Sequence, residues 1–418
     1  MPSNSADALW RRPSTMTWFR IWLGVVVGML AAAPAYCLTP LQPLIDATPT
    51  GGVLLPPPGT YAGPALITRP ITLDGNGAVT IDGGGQGTVL TVQAGGATVR
   101  GVRLTNSGSS HDGVDAGVLV EADEVYIGHN IIDDTLFGIH LRQANRNTLR
   151  GNRIASKAVA LNMRGDGVRL WYSRDNLIEG NEIVAVRDLS LTNSTDNRVV
   201  GNTVRGSRCG LNMTYSPRNV IEGNTLDQND AGIVVLYSDD LVIRANRIQH
   251  SLGATGQALA FKDSSQVVVE GNELLHCAIG LQANAPNSPE NIIHLRGNRF
   301  AHNITGMYFY GENGGHVIHD NRFEKNLVQV AVSGFMSARG NNWRGNYWDD
   351  YEGFDGDGDG VGDTPHEHYA FADRIWIETP MATFFRKSPA LELLDFLEQL
   401  APFAVPELIL RDPVPRMQ

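Results

Sequence analysis

Val200-Gly201-Asn202-Thr203-Val204 and Glu222-Gly223-Asn224-Thr225-Leu226 are two copies of one phrase: Gly, Asn, any residue, then an aliphatic. It returns at Arg150-Gly151-Asn152-Arg153-Ile154, Glu179-Gly180-Asn181-Glu182-Ile183, Glu270-Gly271-Asn272-Glu273-Leu274 and Arg296-Gly297-Asn298-Arg299-Phe300, with variants at Asn130, Asn246 and Asn321. Successive asparagines are 22, 29, 21, 22, 22, 26, 26 and 23 residues apart. A period in that range marks one supersecondary unit per repeat, each stacked on its neighbours.

Aligned on Asn, the repeats show which unit it is. Thirteen residues upstream lie Val168, Leu189, Leu211, Ile233 and Leu259; two residues later come Leu170, Leu191, Met213, Val235 and Phe261, with Arg169, Ser190, Asn212, Val234 and Ala260 between. That alternation is a strand with one buried face. A second short strand runs into the Gly-Asn turn and a third begins after it. Three strands per repeat, joined by polar turns, make one coil of a right-handed parallel β-helix; the Leu-x-x-Leu-x-Leu signature of a leucine-rich horseshoe is absent. The repeated Asn has two expected duties: to take left-handed backbone angles at the turn, and to bond through its amide to the same Asn one coil away. Ser173, Ser194, Ser216, Ser238 and Ser264, each eight residues before its Asn, form a second expected ladder.

A solenoid lengthens without thickening, which suits 418 residues. Forty-six glycines and a charged fraction of only 18% fit short strands and tight turns. The formal charge of −11 excludes a nucleic-acid partner, which requires a basic face. Residues 1–37 read as a cleaved export signal: Arg11, Arg12 and Arg20 precede an apolar run, and Ala33-Pro34-Ala35 supplies a small-x-small site. No later stretch is apolar enough to span a bilayer, so the mature chain has no transmembrane segment and is expected in the periplasm. Cys209 and Cys277 lie about three repeats, roughly 14 Å, apart, too far for a disulfide. They read as buried small apolar residues.

The expected organisation is a β-helix over 38–348, an acidic loop over 349–368 and a C-terminal capping or docking segment over 369–418. Residues 41–47 read as a short helix over the N-terminal end, and 155–167, 251–257 and 283–290 as loops bulging from the coils. Ser388-Pro389 starts a predicted amphipathic helix running to Leu400.

Three sets of residues invite chemistry. Asp355, Asp357, Asp359 and Asp363, with a carbonyl from Val361 and Gly at the sixth position, match a Ca²⁺ loop, although His366 stands where the bidentate Glu belongs. His316, His319, His366, His368 and Met381 are the candidate copper ligands, since imidazole and thioether suit that metal. Met213 and Met307 follow the core alternation. A β-helix also raises a polysaccharide lyase or uronan epimerase, which would place acids, or His with Arg and Asp, on one outer face. His111-Asp112 with Asp115, and Asp166 with Arg169, are the clusters on offer. Neither pairs across coils in the alignment, so no catalytic residue is assigned.

Several stretches together resemble one family: Gly165-Asp166-Gly167-Val168-Arg169-Leu170-Trp171, the pairs Tyr215-Ser216 and Tyr237-Ser238, Gly345-Asn346-Tyr347-Trp348-Asp349-Asp350-Tyr351, the acidic loop, and Leu410-Arg411-Asp412-Pro413. They are similar to NosD, the periplasmic maturation proteins of nitrous oxide reductase. The resemblance implies a non-enzymatic role in assembling that reductase's copper–sulfur centre, with an ABC transporter in the inner membrane and a copper chaperone as partners. It also implies peripheral association with that membrane and transient copper, and the wide apolar face of the predicted terminal helix points to docking of 375–410 on the transporter.

Overall fold

The computed structural model describes residues 38–253, 256–285, 287–288, 290–333, 337–370 and 407–417. The chain winds as a right-handed parallel β-solenoid of about 13 turns. Thr203–Arg205, Cys209–Thr214 and Val220–Glu222 are the three strands of one coil. The middle strands of successive coils build a 12-stranded sheet, and the other two from each coil join a 25-stranded one. Register is residue for residue: Thr203 faces Thr225, Met213 faces Val235 and Val220 faces Val242, all parallel. Because side chains alternate along a strand, Leu211 and Met213 enter the core while Asn212 and Thr214 face outward. Met213 and Met307 are fully buried.

The asparagine column is continuous. Asn181 donates its backbone N–H and its Nδ2 to Asn202 Oδ1, both at 2.9 Å, and Nδ2 also reaches the Leu149 carbonyl at 2.9 Å. The same pattern links Asn202 to Asn224, Asn224 to Asn246 and Asn298 to Asn321. One of the two expected duties fails. The left-handed residue is the Gly before the Asn, with φ near 62° at Gly201 and 64° at Gly223, or Ala245 in the variant coil. Gly carries no Cβ to clash there, so Asn is left to bond in a normal conformation. The serine ladder also forms: Ser173, Ser194, Ser216 and Ser238 each donate N–H to the next Oγ. A further ladder at another corner runs Asn147 to Asn176 to Asn197 to Asn219, each five residues before its repeat asparagine.

At the N-terminal end Gln42–Ala47 is helical, with Leu41 and Ile45 sealing the core. At the other end the strand Glu407–Asp412 pairs antiparallel with His366–Ala370. Buried Asp412 then takes the place of the next ladder asparagine, accepting from Asn346 N at 3.0 Å, Asn346 Nδ2 at 2.9 Å and Trp348 Nε1 at 3.3 Å. The predicted export signal, the predicted helix 388–400 and Met381 lie outside the described residues. Among the described residues no helix is long and apolar enough to cross a membrane. Cys209 and Cys277 are free and buried, and burial pushes the Cys209 thiol up to about 12.

Candidate functional site

The acidic loop folds back on itself. Asp355 accepts from the N–H groups of Gly358, Asp359 and Gly360, and Asp359 accepts from Val361 N. Those backbone donors, Gly360 first, hold the Asp355 carboxyl below its usual range. Asp355, Asp357 and Asp359 each place a ligand oxygen within 4.8 Å of the others, the sole such set of three among the described residues. Hard, convergent, exposed carboxylates are a donor set that fits Ca²⁺. Asp363 turns to Gly356 N, and His366 is stacked on Trp348 at 4.7 Å, away from the three.

The four candidate copper histidines do not form such a set. His316 is fully buried; its Nδ1 accepts from Ile293 N at 3.1 Å and its Nε2 meets the Glu312 carboxylate, so both ring nitrogens are committed. His319 lies in register between Arg296 and Arg344, poor company for a cation. His366 is buried, and burial followed by His368 lowers its pKa to about 4. His366 and His368 line a cavity of about 600 Å³ together with Asp350, Glu352 and Glu367. There the His366 Nε2 lacks a hydrogen bond and stands 3.8 Å from Asp350. His366 is thus a neutral imidazole with an unbonded ring nitrogen near a carboxylate.

Sequence alignment missed a charged network on the outer face of the 12-stranded sheet, and here the expectation that no cluster pairs across coils is overturned. The strand Phe137–Arg142 sets His140 directly beside Arg169. Asp166, at the end of the 157–167 loop, accepts from Arg187 Nε at 2.8 Å and Ser190 Oγ at 2.7 Å, both one coil on. Asp188 pairs in turn with Arg208. Asp166 and Asp188 are both buried, and desolvation together with Asp166 raises the Asp188 carboxyl. The His140 imidazole is lowered to about 4 by burial and then by Arg169. The loop that bulges after Ser156 is tied down nearby: the Met163 carbonyl meets His111 Nε2 at 3.1 Å, and His111 packs edge-on to Phe137 at 5.8 Å. The acids are therefore matched one to one with guanidinium groups, and the imidazole is neutral.

Further along the same face a groove of about 420 Å³ runs past Arg208, Asn212, Val234, Phe261, Lys262 and Asn284. The amide oxygens of Asn212 and Asn284 are buried there without partners. Beside it Tyr215 and Tyr237 stack at 5.1 Å, with Lys262 Nζ 5.8 Å from the Tyr237 ring. Aromatic faces, a cation and unpaired amide oxygens are groups that can hold a ligand or a partner surface.

Fold and face together define the class, a right-handed parallel β-helix protein whose outer surface is built of repeated columns. Residues 71–188 match the family model described as right handed beta helix region. Residues 155–353 match that of NosD, described as periplasmic copper-binding protein. The chain is 29% identical over 366 residues to the probable ABC transporter binding protein NosD of Pseudomonas aeruginosa, covering 82% of this chain and 83% of that one. Against the protein of the same name from Stutzerimonas stutzeri it is 30% identical over 112 residues, 26% of this chain and 25% of that one. The sequence resemblance to NosD proteins is thus met again in a family model and in a relative along most of the chain. Among solved structures it is similar to the periplasmic alginate epimerase AlgG, at 13% identity and TM-score 0.43 over 71% of this chain and 83% of that one. The mannuronan C-5 epimerase AlgE6 A-module of Azotobacter vinelandii gives 14% and 0.40 over 72% and 93%.

Proposed function

We propose that this chain is a periplasmic accessory protein for maturation of nitrous oxide reductase, supporting assembly of its copper–sulfur centre. Its partners in this reading are an ABC transporter in the inner membrane, a copper chaperone and the reductase. The observation that carries it is the NosD region at 155–353, which spans both the paired-off charge network and the Tyr215–Tyr237 groove. A relative named for binding an ABC transporter supports the first partner. Rigid columns of exposed side chains at one-coil intervals suit recognition by a flat partner surface. The test is a pull-down of transporter, chaperone and reductase under reducing conditions with metal analysis of the eluate. A second bait replaces 381–404 with a Gly/Ser linker of equal length, which keeps Asp412 and hence the end of the ladder. Loss of the transporter from the second bait alone assigns docking to the C-terminal segment; no partner on either bait overturns the proposal.

One observation favours a second reading, a polysaccharide lyase or uronan epimerase: His140, Arg169 and Asp166 converge on one outer face. Its test is turnover of alginate and pectin, followed by ultraviolet absorbance for elimination and proton NMR for epimerisation. Activity lost in His140→Gln would establish it.

A further inference from the structure

Four residues after the ladder asparagines of five successive coils stand Gln228, His250, His276, His302 and Lys325. All five are left-handed, with φ between 54° and 58°. Each of the first four donates its N–H to the next coil, His250 to Leu275 O at 3.2 Å, His276 to Ala301 O at 3.1 Å and His302 to Glu324 O at 2.9 Å. A left-handed corner costs a non-glycine residue roughly 1–2 kcal/mol, and Gly206 fills it one coil earlier than Gln228. Imidazole nevertheless occupies it three times running.

The three histidines are exposed, and their rings form a column. His250 and His276 are 5.5 Å apart at 17°, His276 and His302 4.8 Å apart at 4°. Asp227 Oδ1 holds His250 Nδ1 at 2.8 Å, the carboxylate–imidazole contact that orients a ligating histidine. Among the described residues the rings of His276 and His302 have no hydrogen-bond partner. The charges around the column are Asp227 and two arginines already paired, Arg247 with Glu273 and Arg299 with Glu324.

We propose that His250, His276 and His302 form a copper-binding strip, each ion held between the ring nitrogens of two successive coils. Metal–imidazole bonds of about 2.0–2.1 Å put two nitrogens on one ion roughly 3.3–4.1 Å apart. From a stack at 4.8 Å both rings must tilt toward the ion to bring their nitrogens to that separation. His276 belongs to both pairs, so an ion can step from the His250 pair to the His302 pair in a move of about one strand spacing, ~4.8 Å. Gln228 and Lys325 end the strip with an amide and a cation. The imidazole donors fit copper, zinc or nickel; the choice of copper rests on the accessory-protein reading above.

The experiment uses the metal-stripped full chain and its His276→Gln variant, with His319→Gln as a control outside the strip. Cu(I) is titrated anaerobically against a chromogenic chelator, Zn(II) against a zinc indicator, and far-ultraviolet circular dichroism confirms intact coils. Cu(I) affinity is expected to fall at least roughly tenfold in His276→Gln, the low end for losing even an outer-sphere partner, and to stay level in His319→Gln. Equal Cu(I) binding by parent and His276→Gln overturns the strip and leaves the copper reading standing on another site. Zn(II) binding lost in His276→Gln, with Cu(I) bound by neither, keeps the strip as a metal site and overturns copper as its cargo. Binding of neither ion by the parent overturns the strip.

Discussion

Replacing Asn224 with Ala tests the ladder at its centre. Asn224 is 2% exposed and its amide makes four hydrogen bonds. Oδ1 accepts from Asn202 N at 2.9 Å and Asn202 Nδ2 at 3.0 Å, while Nδ2 donates to Val199 O and Asn246 Oδ1, both at 2.9 Å. Their loss is unequal in effect. Asn202 Nδ2 keeps the Ile178 and Val200 carbonyls, and Asn246 Oδ1 keeps Asn224 N. Of the two buried main-chain groups that lose a partner, the Val199 carbonyl keeps its place in the ladder through the Val200–Glu222 pairing, and the Asn202 N–H is left alone. One buried group left unpaired costs about 1–3 kcal/mol, which is the expected loss. A companion variant, Asn224→Asp, puts a carboxylate oxygen where the amide donor faces those two acceptors. That carboxyl must be protonated to donate, so its folded pKa lies above the unfolded value of about 4. The sign follows: its contribution is present below about pH 4 and is lost as pH rises through the raised folded value. Urea unfolding followed by circular dichroism, with hydrogen exchange of 199–204 and 220–226, measures both. A loss under about 1 kcal/mol for Ala, less than one buried unpaired group should cost, refutes the reasoning. So does an Asp variant no more stable, relative to parent, in acid than at neutral pH.

Asp412→Ala removes the acceptor of three buried donors and should raise exchange in the last coil around 342–348, whereas Asp412→Asn, which keeps an acceptor oxygen, should lose less; equal exchange in the two variants counts against the carboxylate as the end of the ladder. Calorimetry of EDTA-treated protein should give heat with millimolar Ca²⁺ that Asp355→Ala abolishes; a silent parent excludes Ca²⁺ from the acidic loop. His140, lowered to about 4 from 6.5, is neutral when folded and takes a proton on unfolding in between, so stability should fall as pH drops through that window. His140→Gln should flatten that slope, and a His140 ring titrating near 6.5 by NMR would contradict its burial.

The repeat was readable because a solenoid writes its register into the chain. Columns such as Leu170, Leu191, Met213 and Val235 are one residue per coil, and the spacing of the asparagines supplies the alignment. What could not be read were contacts that leave the repeat. Asp412 ends the ladder from 66 residues away, across a segment that does not carry the Gly-Asn repeat. Asp166 and Arg187, by contrast, share a column, each fifteen residues before its asparagine, and only the burial of Asp166 needed the structure. The turn misled for a different reason: Gly and Asn both tolerate left-handed angles, and only the backbone shows that Gly201 takes them and frees Asn202 to bond. The histidine column was legible in principle, four positions beyond Asn246, Asn272 and Asn298, but isolated histidines attract attention by local spacing rather than by place in a coil.

One residue per coil also means that function in such a chain is segmented along its axis. Columns change identity where a partner would change. The outer column of the 12-stranded sheet runs from His140, Arg169 and Ser190 to Asn212, Val234 and Ala260, passing from a closed charge network to an open groove. At another corner the column turns to imidazole from His250 and ends in Lys325. The imidazole column and the tyrosine pair therefore stand at opposite ends of the strands of the 12-stranded sheet, with the groove between them. A partner gripping the tyrosine end leaves the histidine corner open to solvent, and the sheet holds the two in fixed relation. Substituting Tyr215 and Tyr237 should then weaken partner capture while leaving metal affinity unchanged. Loss of both together would mean that one surface serves both tasks.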